Sequence, residues 1–248
     1  MSQGRRVALV TGGALGLGRA IAVRLAADGV AVAIGYHSHP GDEAVAEIVA
    51  GGGEALGVRL DVTDRHGVDE AVAEVVTGLG RLDILVNNAG GLLARVSIED
   101  MSDDHWHRVL ELNLTSALYC TRAAAPHLGR GGRIVNVSSM AAQNGGGPGA
   151  TAYAAAKAGL IGFTRAAAKE LGGKGVTVNA VTPGFIGQTP FHATFSSVEA
   201  QRAMVAQAAV GRAGEPADIA AIVAYLASPD SGYMTGTVSD VNGGSYFT

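Results

Sequence analysis

The sequence predicts a three-layer α/β/α fold, a doubly wound parallel sheet with helices on both faces. Three observations carry this. Short β-branched runs alternate with alanine-rich helical stretches along nearly the whole chain. The first strand candidate, Val7–Val10, is apolar throughout and ends in glycines, the pattern of a strand buried on both faces. The 248 residues are enough for one core without disulfides or metals, at roughly 100–200 residues per domain.

The elements follow in order. Val7–Val10 reads as a buried strand ending in glycines, and Arg19–Asp28 as a helix stopped by Gly29. Val30–Ile34 is a second strand, and Asp42–Ala50 a helix closed by Gly51-Gly52-Gly53. Ala55–Leu60 and Leu82–Val86 are strands three and four, with a helix over Asp64–Thr77 between them. Met101–Leu128 is a long helical region with a break expected near Asn113. Arg133–Val137 is the fifth strand, Ala152–Leu171 a helix and Val176–Val181 the sixth strand. Pro216–Ala227 is a helix and Thr237–Val241 a last short strand. Right-handed crossovers leave few topologies for that alternation. No linker or repeat divides the chain, so residues 1–248 are read as one domain. Gly145–Gly149 reads as an active-site loop, and the weakly periodic stretch 184–210 as a substrate lid.

Composition narrows the function classes. Net charge is −4, with Lys and Arg scattered, so no nucleic-acid footprint is expected. A phosphate-bearing ligand must then be gripped by local geometry. Cys120 is the only cysteine and sits in an apolar helix, so no internal disulfide forms. No apolar run approaches the ~20 residues of a membrane span. Val7–Val10 is too short for an export signal, so a cytoplasmic location is the expectation. His37 and His39 read as turn residues, and His105 and His107 face different sides of a helix, so no metal is expected.

Chemistry begins at Thr11-Gly12-Gly13-Ala14-Leu15-Gly16-Leu17-Gly18, between the first strand and first helix. Glycines there allow a tight turn, close approach of backbone to a pyrophosphate and helix–sheet packing, as in a Rossmann-like dinucleotide site. The spacing is TGxxxGxG rather than GxGxxG, and no phosphate-loop lysine follows. Tyr153 and Lys157 are one helical turn apart on one face. A lysine cation about 5 Å from a phenol, at an effective dielectric near 20, favours the phenolate by roughly 3 kcal/mol. That lowers its pKa by about two, towards general acid–base work at neutral pH. Ser139 closes the fifth strand, where ligands of open parallel sheets bind. Its hydroxyl can donate to a carbonyl or alkoxide oxygen. No G-x-S-x-G elbow supports a hydrolase.

These motifs, with Asn87-Asn88-Ala89-Gly90, Asn113 and Pro183-Gly184 in the same order, resemble the short-chain dehydrogenase/reductase family over essentially the whole chain. Val135–Ser139 and Tyr153–Leu160 are most similar to the branch of bacterial 3-oxoacyl-carrier-protein reductases. The resemblance implies an oxidoreductase moving hydride between a nicotinamide cofactor and a ketone or secondary alcohol. It implies Asn113, Ser139, Tyr153 and Lys157 as the catalytic group, with Ser139 chosen over Ser138 and Asn113 holding a proton-relay water. For the cofactor it implies Thr11, Gly12, Leu15, Gly16, Leu17 and Gly18 at the phosphates, and Asp61 and Val62 beside the adenine. Asn88, Ala89 and Gly90 would line the cleft. Pro183, Gly184, Ile186 and Thr189 would meet the nicotinamide end, and Lys157 the ribose. Tyr36, His37 and Ser38 follow the second strand without an acid, which favours NADP(H) and leaves NAD(H) open. Ser139 to Tyr153 is one residue longer than is common in the family, which bears on substrate shape. Phe191 and Phe195 would close over a ligand, and His192 lies between them. No basic run marks a carrier-protein docking face: Arg130, Arg133, Arg165 and Lys169 are ordinary surface positions. A sugar, sugar-acid or polyol dehydrogenase is the alternative within the family, and a non-catalytic cofactor sensor the alternative outside it. A homotetramer is expected through the helices Met101–Leu128 and Ala152–Leu171, whose alanine triplets allow close helix approach.

Overall fold

The computed structural model describes residues 4–248, apart from the side chain of His192. The elements are β1 (Val7–Thr11), α1 (Gly16–Ala27), β2 (Ala31–Tyr36), α2 (Asp42–Ala50), β3 (Ala55–Arg59), α3 (Arg65–Leu79) and β4 (Ile84–Asn87). Then come α4 (Asp103–Leu110), a π turn (Glu111–Thr115), α5 (Ser116–Ala124), β5 (Arg133–Val137), α6 (Ala141–Asn144) and α7 (Thr151–Gly172). The chain continues through β6 (Thr177–Pro183), α8 (Pro190–Phe195), α9 (Val198–Gln207), α10 (Pro216–Ala227) and β7 (Val238–Val241).

The sheet order is β3-β2-β1-β4-β5-β6-β7, with every pairing parallel. Alternate residues of each strand feed opposite cores. Leu9, Leu85, Ile134 and Val178 pack against Val72, Cys120, Ala124, Ala167 and Leu171 of α3, α5 and α7. Val10, Ile34, Val86 and Val135 pack against Ile21, Leu25, Ile48, Ile219 and Val223 of α1, α2 and α10. Burial pushes the Cys120 thiol up to about 12, so it behaves as a hydrocarbon. No helix among the described residues is long and apolar enough to cross a membrane.

Helix ends follow local chemistry. Asp64 caps α3 by accepting from the His66 amide, and Gly80 ends it in the left-handed conformation, φ 82°. Ser102 caps α4, and a Glu215/Asp218 capping box with Pro216 starts α10.

Four expectations are corrected. The first helix begins at Gly16 rather than Arg19, so the second half of the glycine loop is its first turn. The long helix ends at Ala124, just before Pro126, which cannot donate to a helical carbonyl. It is not broken near Asn113 but widened there into the π turn. Arg133 is buried rather than superficial, donating to the Ser228 and Gly132 carbonyl oxygens. Three helices were also illegible. One-turn α6 is too short to show periodicity, α9 buries no residue fully, and α8 is only six residues long.

Candidate active site

From β1 the chain winds outward through β2 and β3, then returns on the other side of β1 as β4. Open α/β sheets bind ligands at the crevice this reversal leaves beyond the strand ends. Thr11 ties the two sides of the crevice together. Its hydroxyl accepts from the Asn88 and Ala89 amides at 3.0 Å each. Asn88 Nδ2 donates back to the Thr11 and Gly12 carbonyl oxygens at 2.9 and 3.2 Å. Thr11 is therefore a buried brace rather than a lining residue.

One cleft of about 400 Å³ opens there. Gly12, Leu15, Gly16, Leu17 and Gly18 line one end, and Tyr36, His37 and Ser38 the rim beyond β2. Asn88, Ala89 and Gly90 line it beside Gly12, and Pro183, Gly184, Ile186 and Thr189 line it as well. Ser139, Tyr153 and Lys157 complete it. Sequence reasoning missed Ala14, Val137 and Pro190, which also line it and carry no chemical signature, and His39, which it read only as a turn residue. The cradle suits a dinucleotide. A Cβ on Gly18 would sit 2.1 Å from the Gly12 carbonyl oxygen, so only glycine lets loop and helix meet so closely. The start of α1, with its unpaired amides, closes on the same space.

At the rim, the parallel register pairs Tyr36 with Arg59 and so carries Asp61 beside His37. The Asp61 carboxylate lies 3.5 Å from His37 Nε2. Burial works to raise its pKa, but bonds from the Thr63 hydroxyl and amide, with His37 and Arg59 near, hold it below the usual carboxylate range. An acid therefore stands next to the rim, supplied by the segment that follows β3. Asp61 and Val62 stand behind the rim and do not line the cleft.

Ser138 and Ser139 separate by role. Ser138 is buried and donates to the Lys157 carbonyl oxygen at 2.8 Å, bracing α7. The Ser139 hydroxyl shares a hydrogen bond with the Tyr153 hydroxyl and accepts from the Ala141 amide. Lys157 Nζ donates to the Val137 carbonyl oxygen at 2.8 Å and lies 5.7 Å from the Tyr153 ring centroid. A polar chain fixes the floor behind them. Asn87 Nδ2 donates to Asn136 Oδ1, Asn136 Nδ2 to Thr164 Oγ1, and Thr164 Oγ1 to the Leu160 carbonyl oxygen.

The expected phenolate stabilisation is reversed in the chain itself. Burial pushes the Tyr153 phenol up to about 12, against the pull of the Ser139 bond, and pushes Lys157 down to about 8. Desolvation of each charged form outweighs the attraction between them.

Asn113 does not line the cleft. From the π turn its Nδ2 donates to the Gly91 and Val109 carbonyl oxygens, and its Oδ1 accepts from the Gly91 amide. It flanks Gly90, where a Cβ would lie 2.7 Å from Asn113 Oδ1 and 3.1 Å from Lys157 Nζ. Thr189 lines the cleft, yet its hydroxyl donates to the Ile186 carbonyl oxygen. Phe191 stands over Tyr153 with ring centroids 5.8 Å apart, and Phe195 over Phe191 at 5.2 Å.

Known proteins bear on this arrangement. A family model described as enoyl-(acyl carrier protein) reductase matches residues 12–246. A 3-oxoacyl-[acyl-carrier-protein] reductase from Synechocystis is 41% identical, covering 96% of each chain. The short-chain reductase protein NovJ of Streptomyces niveus is 43% identical over 96% of this chain and 93% of its own. A solved short-chain dehydrogenase from Burkholderia cenocepacia in complex with NADP superposes with a TM-score of 0.91 at 40% identity, covering 98% of each chain. With a seven-stranded parallel sheet and sequence likeness over nearly its full length, the chain belongs to the short-chain dehydrogenase/reductase family of oxidoreductases.

Proposed function

We propose that the chain interconverts a ketone and a secondary alcohol with NADP(H). The observation that carries this is the paired hydroxyls of Ser139 and Tyr153 above buried Lys157, at the end of a cleft that begins in a glycine cradle. A nicotinamide dinucleotide, when bound, supplies or accepts the hydride. Gly12 to Gly18, with the start of α1, would hold its phosphates, and Asn88 to Gly90 its length.

The protein's own residues handle the oxygen and the proton. A phenol near 12 keeps its proton at neutral pH, so Tyr153 is set as the acid for ketone reduction. Ser139 donates to the same carbonyl oxygen, and both bonds strengthen as that oxygen gains charge. Lys157, charged below about 8, adds positive potential beneath the phenol. Its amine has three donors, of which Val137 takes one; the others would be available to a ribose hydroxyl of the cofactor. Asn113, across Gly90 from Lys157, would seat the water that returns the proton.

NADP(H) is favoured because the Tyr36–His39 rim carries no carboxylate of its own, and His37 shields the Asp61 acid behind it. The NADP complex of the Burkholderia relative supports the choice. The apolar roof of Phe191 and Phe195 suits a ketone carried on an apolar chain, of which a 3-oxoacyl thioester is the leading example. Residues 184–210 would be the lid over it.

A panel crossing NADPH and NADH with a 3-oxoacyl thioester, a sugar, a polyol and small ketones tests this. The thioester with NADPH should give the highest kcat/KM. Turnover of sugars or polyols alone would move the assignment elsewhere in the family, and no turnover of any member would sink the enzymatic reading.

A further inference from the structure

Three segments meet at the mouth of the cleft: the loop after β4, the glycine loop before α7, and α8 with its aromatic roof. One side chain touches all three. Arg95, in the first, donates from Nη1 to the Pro148 carbonyl oxygen at 2.8 Å and from Nε to the Phe195 carbonyl oxygen at 3.1 Å. Beside it the Val96 amide donates to the Gly149 carbonyl oxygen at 3.2 Å. Gly149 has φ +74°, and a Cβ there would lie 2.9 Å from Arg95 Cβ and 3.0 Å from the Val96 amide nitrogen. The two loops are thus in backbone contact, and only glycine permits it. Two residues before Arg95, Leu93 holds φ 59°, a conformation branched side chains rarely adopt. Such strain persists where surrounding contacts over-determine it.

We propose that Arg95 is a positioning residue for the reaction, a clasp that ties the glycine loop and the end of α8 to the loop after β4. It thereby sets the height of Phe191 over Tyr153. The guanidinium suits this task because its donors form a planar fork with fixed directions, so two carbonyl oxygens on different segments are held in one plane. Both bonds go to the chain's own carbonyls, which directs the cation to shaping the mouth. Phe195, whose carbonyl it grips, packs on Phe191, and Phe191 on Tyr153, so the grip passes to the reacting end through two ring contacts. The substrate consequence rests on the function proposed above; the clasp itself does not.

Amide hydrogen exchange on the full chain, alone and with NADPH, compares the parent with Arg95→Ala and Arg95→Lys. In Arg95→Ala, exchange should quicken about tenfold in 145–149 and 190–195 and stay unchanged elsewhere, the effect of losing a charge-assisted bond. Arg95→Lys, which reaches one carbonyl but cannot fork to two, should fall between. In turnover, KM for the ketone should rise about tenfold while NADPH affinity is unchanged and kcat moves by less than about threefold. Unchanged exchange in both segments overturns the clasp, as does a speed-up spread over the whole chain, or a loss of NADPH affinity in step with KM. If the parent turns over no ketone, the proposed function falls and the exchange result still decides Arg95.

Discussion

Replacing Lys157 by methionine should make the protein more stable while abolishing turnover. Lys157 is 3% exposed, and burial brings its amine from an ordinary 10.5 down to about 8. At about 1.36 kcal/mol per pH unit, holding it charged below pH 8 costs roughly 3 kcal/mol of stability. The sign follows from proton counting. Between pH 8 and 10.5 the unfolded chain binds more protons than the folded one, so stability rises with pH through that window and the full cost applies below it. Methionine has a similar length and no charge, so it removes the cost. It also strands the Val137 carbonyl oxygen, which now accepts from Nζ; that takes back about 1 kcal/mol. The net gain at pH 7 is about 2 kcal/mol, or roughly 4–8 °C in Tm for a chain of this size. Chemical and thermal unfolding at pH 7 and pH 9.5 measure it. At the higher pH the wild-type amine is mostly discharged, so the gain should shrink to near zero. A variant less stable at pH 7, or a gain that ignores pH, would refute the argument that desolvation dominates this site.

Tyr153→Phe should lower kcat by about 10²–10⁴-fold with cofactor affinity retained, read by NADPH fluorescence titration; near-normal turnover would remove Tyr153 as the acid. For cofactor choice, kcat/KM should favour NADPH, and His37→Asp should shift it towards NADH by adding a second acid beside Asp61. No shift would place the ribose elsewhere. Light scattering should give a homotetramer, because α7 leaves Ala155, Ala158, Gly162 and Ala166 exposed as a flat stripe. Ala158→Arg should split the assembly, and a wild-type mass near the monomer's 24.9 kDa would remove the proposal.

What could be read from the sequence was what is local or periodic. All seven strands were legible because short runs with aliphatic or β-branched residues alternate with helical stretches along the chain, and Pro216–Ala227 coincides with α10 because its Pro and Asp sit where helices begin. Ser139, Tyr153 and Lys157 were legible because a strand end and one helical turn bring them together. An irregularity near Asn113 was expected, but its form, a π turn and not a break, was not legible, since widening a helix changes no residue pattern. The ionisation of Tyr153 and Lys157 was misread because charge separation can be guessed from a helix, but burial cannot. The acid beside His37 was missed because it arrives across two strands, 24 positions along the chain.

The bonds behind the floor, from Asn87 through Asn136 to Thr164, have a consequence for how such a protein can change. Hydrocarbon contacts resist a shift through packing alone, without the directional demand of a hydrogen bond. A buried amide paired to an amide, and then to a hydroxyl, loses directional bonds if either side slides, and Asn87 Oδ1, buried without a hydrogen-bond partner, leaves no slack for a further loss. The helix bearing Tyr153 and Lys157 is therefore keyed to β4 and β5 as a gear is to its shaft. Loops 92–96 and 145–149 and the stretch 184–210 touch none of that chain of bonds. Their other residues, outside Gly149 and the cleft-lining Gly184, Ile186 and Thr189, can change while that alignment stays in register, so selection for a new substrate can work on the mouth without moving the floor.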